Sequence, residues 1–410
     1  MSEPARQLHL NAFLKPPGEY LAAWRHPDTP DAGALGLDNV VELARTAERA
    51  RFDAIFLADL VGVPLESQDV LSRVSVVNDS FEPLTLLASL ALATSHIGLI
   101  ATASTTYNEP EQIARLYASL DQVSGGRAGW NLVTSLNDGE AQNFGLDQHV
   151  PHEDRYARAQ RFHDEVVARW DGTIPGLHRP PQGRPVIVQA GASERGRELA
   201  ARVADVIFSG ASTVASSVEL NRDIRAQAEG FGRDPRRVKI LPALSAVVGK
   251  TLSEAEDKVA VMRSLLHPRV ALAHLQYWLG GFDLTQYALD DPLPELPESN
   301  QSLTAQRRIV DVARRRGLTI GQLAQRIVDG ERTIVGTPET IADHVQEWFE
   351  ADAADGFNVV FEYLPGTLDD FADLVVPELQ RRGIFRTEYD GTSLRDHLGL
   401  GVHDLARAHA

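Results

Sequence analysis

Short apolar runs bounded by turn residues recur along the chain, and between them apolar residues return every three or four positions. A short, continuously apolar run reads as a strand buried on both faces in a parallel sheet, and the longer spacing reads as an amphipathic helix. By these criteria strands are predicted at 8–14, 52–58, 96–103, 127–135, 185–190, 206–209, 239–248 and 357–364, with a helix after almost every one. The stretch HIGLIATASTTYNEPEQIARLYASLDQVSGGRAGWNLVTS holds one complete strand, helix and strand. Asn108 is placed to cap its helix, Pro110 to open it, and Ile113, Leu116, Tyr117, Leu120 and Val123 to form its apolar face, with Gly125 and Gly126 as the stop. In the first strand His9, Asn11 and Phe13 share one face and Leu10 and Ala12 the other.

Eight such strands predict an α/β fold, a (β/α)8 TIM barrel, as a single domain over residues 1–410. More than eighty residues between the seventh strand and Thr333 do not continue the alternation. This segment, about 250–332, is expected to lie as an insertion over the barrel mouth. It holds a helix with a capping box at Ser253 and Glu256, an aromatic patch at Tyr277, Trp278 and Phe282, and two further helices around Ile309 and Leu323. The tail beyond Gly383 is expected to pack across the barrel or a neighbour.

Composition narrows the function. A formal charge of −17 argues against a surface that grips nucleic acid or anionic lipid, although one phosphate can still be held by backbone amides at a helix start. The absence of cysteine removes thiol nucleophiles, disulfides, thiolate metal sites and a cysteine-linked cofactor. No apolar run approaches membrane-spanning length and no signal-peptide core is present, so a cytoplasmic location is expected.

Barrel architecture places an active site at the C-terminal strand ends. That rule selects Asp59, Thr102 to Thr105, Asn131 to Thr134, Gly191 to Ser193, Ser209 with Gly210, and Glu362 with Tyr363. Asn131 is the sharpest candidate, because a buried amide brings several donors and acceptors that need partners. Asp59 reads equally as a cap or loop acid, Ser104 as a hydroxyl bonded to its own backbone, and Ser193 as a helix cap. His152 and Tyr156 share one helix face. A metal set from His149, His152, Asp154 and His163 is conceivable, but the spacing does not enforce convergence, and no metal is expected.

The runs LHLNAF, AAWRHPD, FDAIFLAD, SGGRAGWNLVTS, HEDRYARAQRF, PPQGRPVIVQAGAS, DVIFSG and VGTPETIADHVQEWF span nearly the whole chain. Together they resemble the bacterial luciferase-like two-component flavin monooxygenases, in the branch of nitrilotriacetate and dibenzothiophene-sulfone monooxygenases. The resemblance implies non-covalent reduced FMN, O2 as co-substrate, a separate NAD(P)H:flavin reductase, a small organic substrate, and a homodimer or homotetramer. It implies flavin contacts from Asp59, Thr102, Ser104 and Asn131 at the ring, and from His152, Tyr156, Gly191, Ser193 and Ser209 toward the ribityl and phosphate groups, with proton handling by His9 or His152. One oxygen atom would enter the substrate and the other leave as water. Two alternatives stand beside this: a deazaflavin-dependent oxidoreductase on the same barrel, and a flavin-binding barrel without turnover. The chain departs from its relatives in a shortened segment at 171–179 and in Gly18, Glu19 and Tyr20, where they often carry Gly-His-His.

Overall fold

The structure, a computed structural model, describes residues 6–30, 35–62, 70, 72–74, 80–135, 138–191, 193–298, 303–329 and 333–401. Among these, the side chains of residues 138, 152, 153, 303 and 304 are not described. Nine strands form among the described residues: β1 (His9–Phe13), β2 (Ala54–Leu57), β3 (Gly98–Ser104), β4 (Ala128–Val133), β5 (Val186–Gln189), β6 (Val206–Ser209), β7 (Lys239–Val248), β8 (Thr333–Gly336) and β9 (Gly356–Val360). All pairings are parallel, and β1 to β7 with β9 close into an eight-stranded ring through the β6–β7, β7–β9 and β1–β9 pairings. The expected barrel is therefore present. The unpredicted β8 is an extra strand on the far end of β7, pairing Ser245 with Thr333 through Val248 with Gly336.

Alternation along each strand sorts the residues. Leu10 and Ala12 of β1, and Trp130 and Leu132 of β4, face the surrounding helices, where Trp130 packs against Tyr117, Phe162 and Trp170. The opposite set fills the barrel: Ala54, Phe56, Ile100, Val186, Val188, Val206 and Leu241. Phe13, Phe56 and Phe208 meet edge to face, with ring centroids 5.3 to 5.8 Å apart, and form an apolar floor below the strand C-termini. In the helix Pro110–Ser124, Pro110 and the left-handed Gly125 mark the ends as expected. Asn108 is not its cap; the amide instead donates to Ser104 O at 2.8 Å. Leu116 and Val123 are exposed, and Ala114 and Asp121 take their places on the buried face.

The tail closes the N-terminal end of the barrel. Leu394, Leu398 and Leu400 join the interior cluster, and Gly98 leaves the room: a Cβ there would lie 2.4 Å from Leu394 Cδ1. Polar pairs lock this plug. Arg386 donates to Asp53 Oδ1 at 2.6 Å and to the His397 carbonyl at 2.8 Å, and Arg395 donates to Asp205 at 3.0 Å.

At the other end, the helices Pro268–Trp278, Leu303–Arg316 and Ile320–Asp329 build a small core of their own around Leu275, Leu279, Ile309 and Leu323, and the helix Leu252–Leu265 before them packs against β7 and β8. This last helix is capped by Thr251, whose side chain accepts from Glu254 N, and not by Ser253, which lies inside the helix. Tyr20, Ala22 and Ala23 from the loop after β1 join Met262 and Tyr363 in a separate buried cluster, tying the insertion to the loops that follow β1 and β9. No helix among the described residues is long and apolar enough to cross a membrane.

Candidate functional site

The ends of β3 and β4 present the densest polar group inside the ring. Thr102 and Asn131 are paired in register and both face inward. Thr102 donates its hydroxyl to Leu57 O at 2.8 Å and accepts from Asn131 Nδ2 at 2.8 Å. Thr102 is thus fully engaged, and it anchors one end of the Asn131 amide. The other end, Oδ1, is buried and has no hydrogen-bond partner among the described residues. A buried amide oxygen without a donor costs about 1–3 kcal/mol, which a bound ligand with an N–H or O–H would recover.

Ser104 lies one step further up. Its hydroxyl accepts from Thr106 N at 3.1 Å and meets Ser135 Oγ at 2.8 Å, and Ser135 donates to the buried Glu140 at 2.8 Å. Because Ser135 gives its only proton to Glu140, Ser104 must donate to Ser135. The positive φ of 59° at Ser135 turns the chain so that this relay can form. Ser104 therefore shapes the wall through its neighbours. Glu140, which the sequence alone did not single out, ends the chain of bonds.

Asp59 follows β2 and is half-buried. Burial raises its carboxyl to about 6, helped by nearby Glu82 and Glu140, against the backbone bond from Leu60 that lowers it. A carboxyl so placed holds a proton close to neutral pH.

The second group surrounds the exit of β5. Ser193 caps the helix Glu194–Val203 by accepting from Gly196 N at 3.1 Å, and its hydroxyl bonds Tyr156 OH at 2.9 Å. Tyr156 comes from the helix His152–Trp170, whose arginine Arg158 ties it to the end of β3 through Thr105 O and Thr106 O. A Cβ at Gly196 would stand 3.1 Å from Gly191 Cα, Ser193 Oγ and Tyr156 OH alike, so any side chain there needs these neighbours to give way by a few tenths of an ångström. Two further polar atoms are buried without partners among the described residues, Gln189 Oε1 at the end of β5 and Ser209 Oγ at the end of β6. The helix start, with its amides and the Ser193 and Tyr156 hydroxyls, is chemistry suited to an anion.

The structure thus brings Asn131, Thr102 and Ser104 together on β3 and β4, and Tyr156, Gly191 and Ser193 together beside β5. His152 opens its helix at the same end of the molecule as Tyr156, but its side chain lies outside the described residues. His9 requires a correction. It is the first residue of β1, at the opposite end of the barrel from the others, with Nδ1 3.0 Å from Asp53 Oδ1 and Arg386 beside it. Buried under the C-terminal plug, it serves the polar lock there and cannot handle protons at the mouth. Two of the histidines weighed as metal ligands have other partners, His149 with Tyr107 and His163 with Asp164, and the described residues contain no group of three or more metal-ligating side chains.

Residues 18–355 match the family described as luciferase-like monooxygenase. The chain is 43% identical to nitrilotriacetate monooxygenase component A of Aminobacter aminovorans, over 96% of this chain and 97% of that one. It is 41% identical to N-acetyl-S-(2-succino)cysteine monooxygenase of Bacillus subtilis, over 98% of each chain. Among solved structures, EDTA monooxygenase from Chelativorans sp. BNC1 superposes with a TM-score of 0.76 at 32% identity, covering 96% of this chain and 99% of that one.

Proposed function

Since the chain belongs to the luciferase-like monooxygenase family, we propose that it is the oxygenase component of a two-component system. In this reading it takes reduced FMN from a separate flavin reductase and uses O2 to place one oxygen atom in a small organic substrate. The observation that carries the reading is the buried, donor-less Oδ1 of Asn131, held in place by Thr102 and facing the barrel interior. A flavin ring carries the N–H that this acceptor lacks. The residues present fit the rest of the cofactor too, with Tyr156, Ser193 and the amides around Gly191 and Gly196 suited to its phosphate. The flavin, when bound, supplies the oxygen chemistry.

The chain's own residues position, shield and protonate. The phenylalanine floor closes the cavity from below, and the insertion, joined through Tyr20, Met262 and Tyr363, restricts water from above. Asp59, with a carboxyl titrating at about 6, takes the proton-holding place expected of His9. The test is to mix the protein with chemically reduced FMN and oxygen and follow absorbance. A flavin transient that outlives free-flavin reoxidation by tenfold or more is the expected result. Reoxidation at the free rate would leave only a flavin binder, and tight uptake of a reduced deazaflavin instead of FMN would favour hydride transfer.

A further inference from the structure

A large cleft lies at the end of the barrel opposite the mouth, beside the start of β7, with a volume of about 1150 Å³. Six of its sixteen lining residues are cationic: Arg6, Arg222, Arg225, Arg236, Arg237 and Lys239. Four are acidic, so the cleft is locally positive in a chain whose net charge is −17. Composition alone would predict the reverse.

The pairing inside the cleft is incomplete. Arg6 is matched by Asp352 and Asp355, Arg225 by Asp355 at 2.8 Å, and Arg236 by Asp234 at 3.4 Å. Arg222, Arg237 and Lys239 have no acidic partner within ion-pair distance among the described residues. Arg225 adds a buried Nε without an acceptor, and the buried Asn221 beside it has an Oδ1 without a donor. Lys239 is half-buried at the first position of β7, where burial and the neighbouring Arg225 and Arg6 disfavour its charge against the pull of Asp355. The three cations left without an acidic partner are stabilised by an anion that brings counter-charge.

We propose that this cleft is a binding site for a small, multiply charged phosphate ligand, separate from the flavin site, with Lys239, Arg237 and Arg222 supplying the charge and Arg225 Nε a directed donor. Its concave form favours a compact ligand over a flat protein partner. Asp355 couples the site to the barrel. It pairs with Arg225, and from its place just before β9 it also accepts from Ile240 N at 2.9 Å on β7. An anion on Arg225 would act on that link.

The probe is inorganic pyrophosphate, titrated calorimetrically into flavin-free full-length protein at low ionic strength, with potassium chloride of equal ionic strength as reference. Saturable binding that Lys239→Gln and the rim variant Arg222→Gln/Arg237→Gln each weaken tenfold or more is the expected result. The same variants should keep the wild-type rate of reaction between reduced FMN and oxygen. Equal affinity in wild type and rim variant, or a response no greater than that to chloride, overturns the proposal. Saturable binding of a polyglutamate peptide without binding of pyrophosphate would also overturn it, and would assign the cleft to an acidic protein segment.

Discussion

Asn131 on β4 donates its amide N–H to the Thr102 hydroxyl on β3 across 2.8 Å, and this single bond decides which end of the amide looks into the barrel. Because Thr102 spends its own proton on Leu57 O, the pair cannot reverse roles. The acceptor end is held ready in an apolar wall.

Replacement of Asn131 by Leu should therefore cost FMN affinity and leave the fold intact. The loss expected from one such hydrogen bond is about 1–3 kcal/mol, or roughly 5- to 150-fold in Kd. Thr102→Val should have a smaller effect of the same sign, since the amide then swings without leaving. Quenching of flavin fluorescence on titration checks both, with near-ultraviolet circular dichroism as the control for folding.

Ser193 joins a structural duty to a binding one. Ser193→Ala removes a helix cap, at about 1 kcal/mol of stability. It should also narrow the preference for FMN over riboflavin several-fold, because riboflavin lacks the phosphate. A cap alone would lower the melting temperature and leave the FMN-to-riboflavin ratio unchanged, so the ratio is the informative reading. Gly196→Ala should be worse on both measures, as its new methyl would press on Ser193 and Tyr156.

The raised carboxyl of Asp59 makes a prediction with a definite sign. Its ordinary value is 3.8 and its folded value about 6, so between these the folded state binds the extra proton and stability falls as pH rises. Above about 6 the loss is complete and the curve flattens. Discounted for partial solvent access, it amounts to about 1–2 kcal/mol. Asp59→Asn should remove the slope and leave the flavin-free protein more stable by that amount at pH 7, as read from urea unfolding across pH 4 to 7.

The plug under the barrel behaves in the opposite way. His397 is lowered from 6.5 to about 4, mainly by burial, so stability is lost as pH falls from about 6.5 toward 4. Burial would raise Asp53, but Arg386 and His9 outweigh it and hold the carboxyl below its ordinary value. Asp53→Ala leaves the Arg386 charge buried and should cost about 3–5 kcal/mol, whereas Asp53→Asn with Arg386→Met should recover much of that. Denaturant midpoints of the single and double variants distinguish the two outcomes.

The barrel was legible because buried parallel strands leave continuous apolar runs, and the runs at 206–209 and 239–248 coincide with β6 and β7 residue for residue. β8 was not, since TIVG is mostly half-buried and runs directly into the start of a helix, where it reads as the turn. Asn131 announced itself as an amide inside an apolar run. His9 misled for a related reason: alternation tells which face of a strand a residue occupies and nothing about which end of the barrel is chemical. Arg158 gave no signal because its partners, the Thr105 and Thr106 carbonyls, come beside it only on folding.

That Leu394, Leu398 and Leu400 sit inside the ring has a consequence for biosynthesis. They follow β9 in the chain, so the barrel's lower opening stays wet after the last strand has been made, however early the strands assemble. A ribosome stalled between Val360 and Leu394 would hold a nascent protein with an unsealed base.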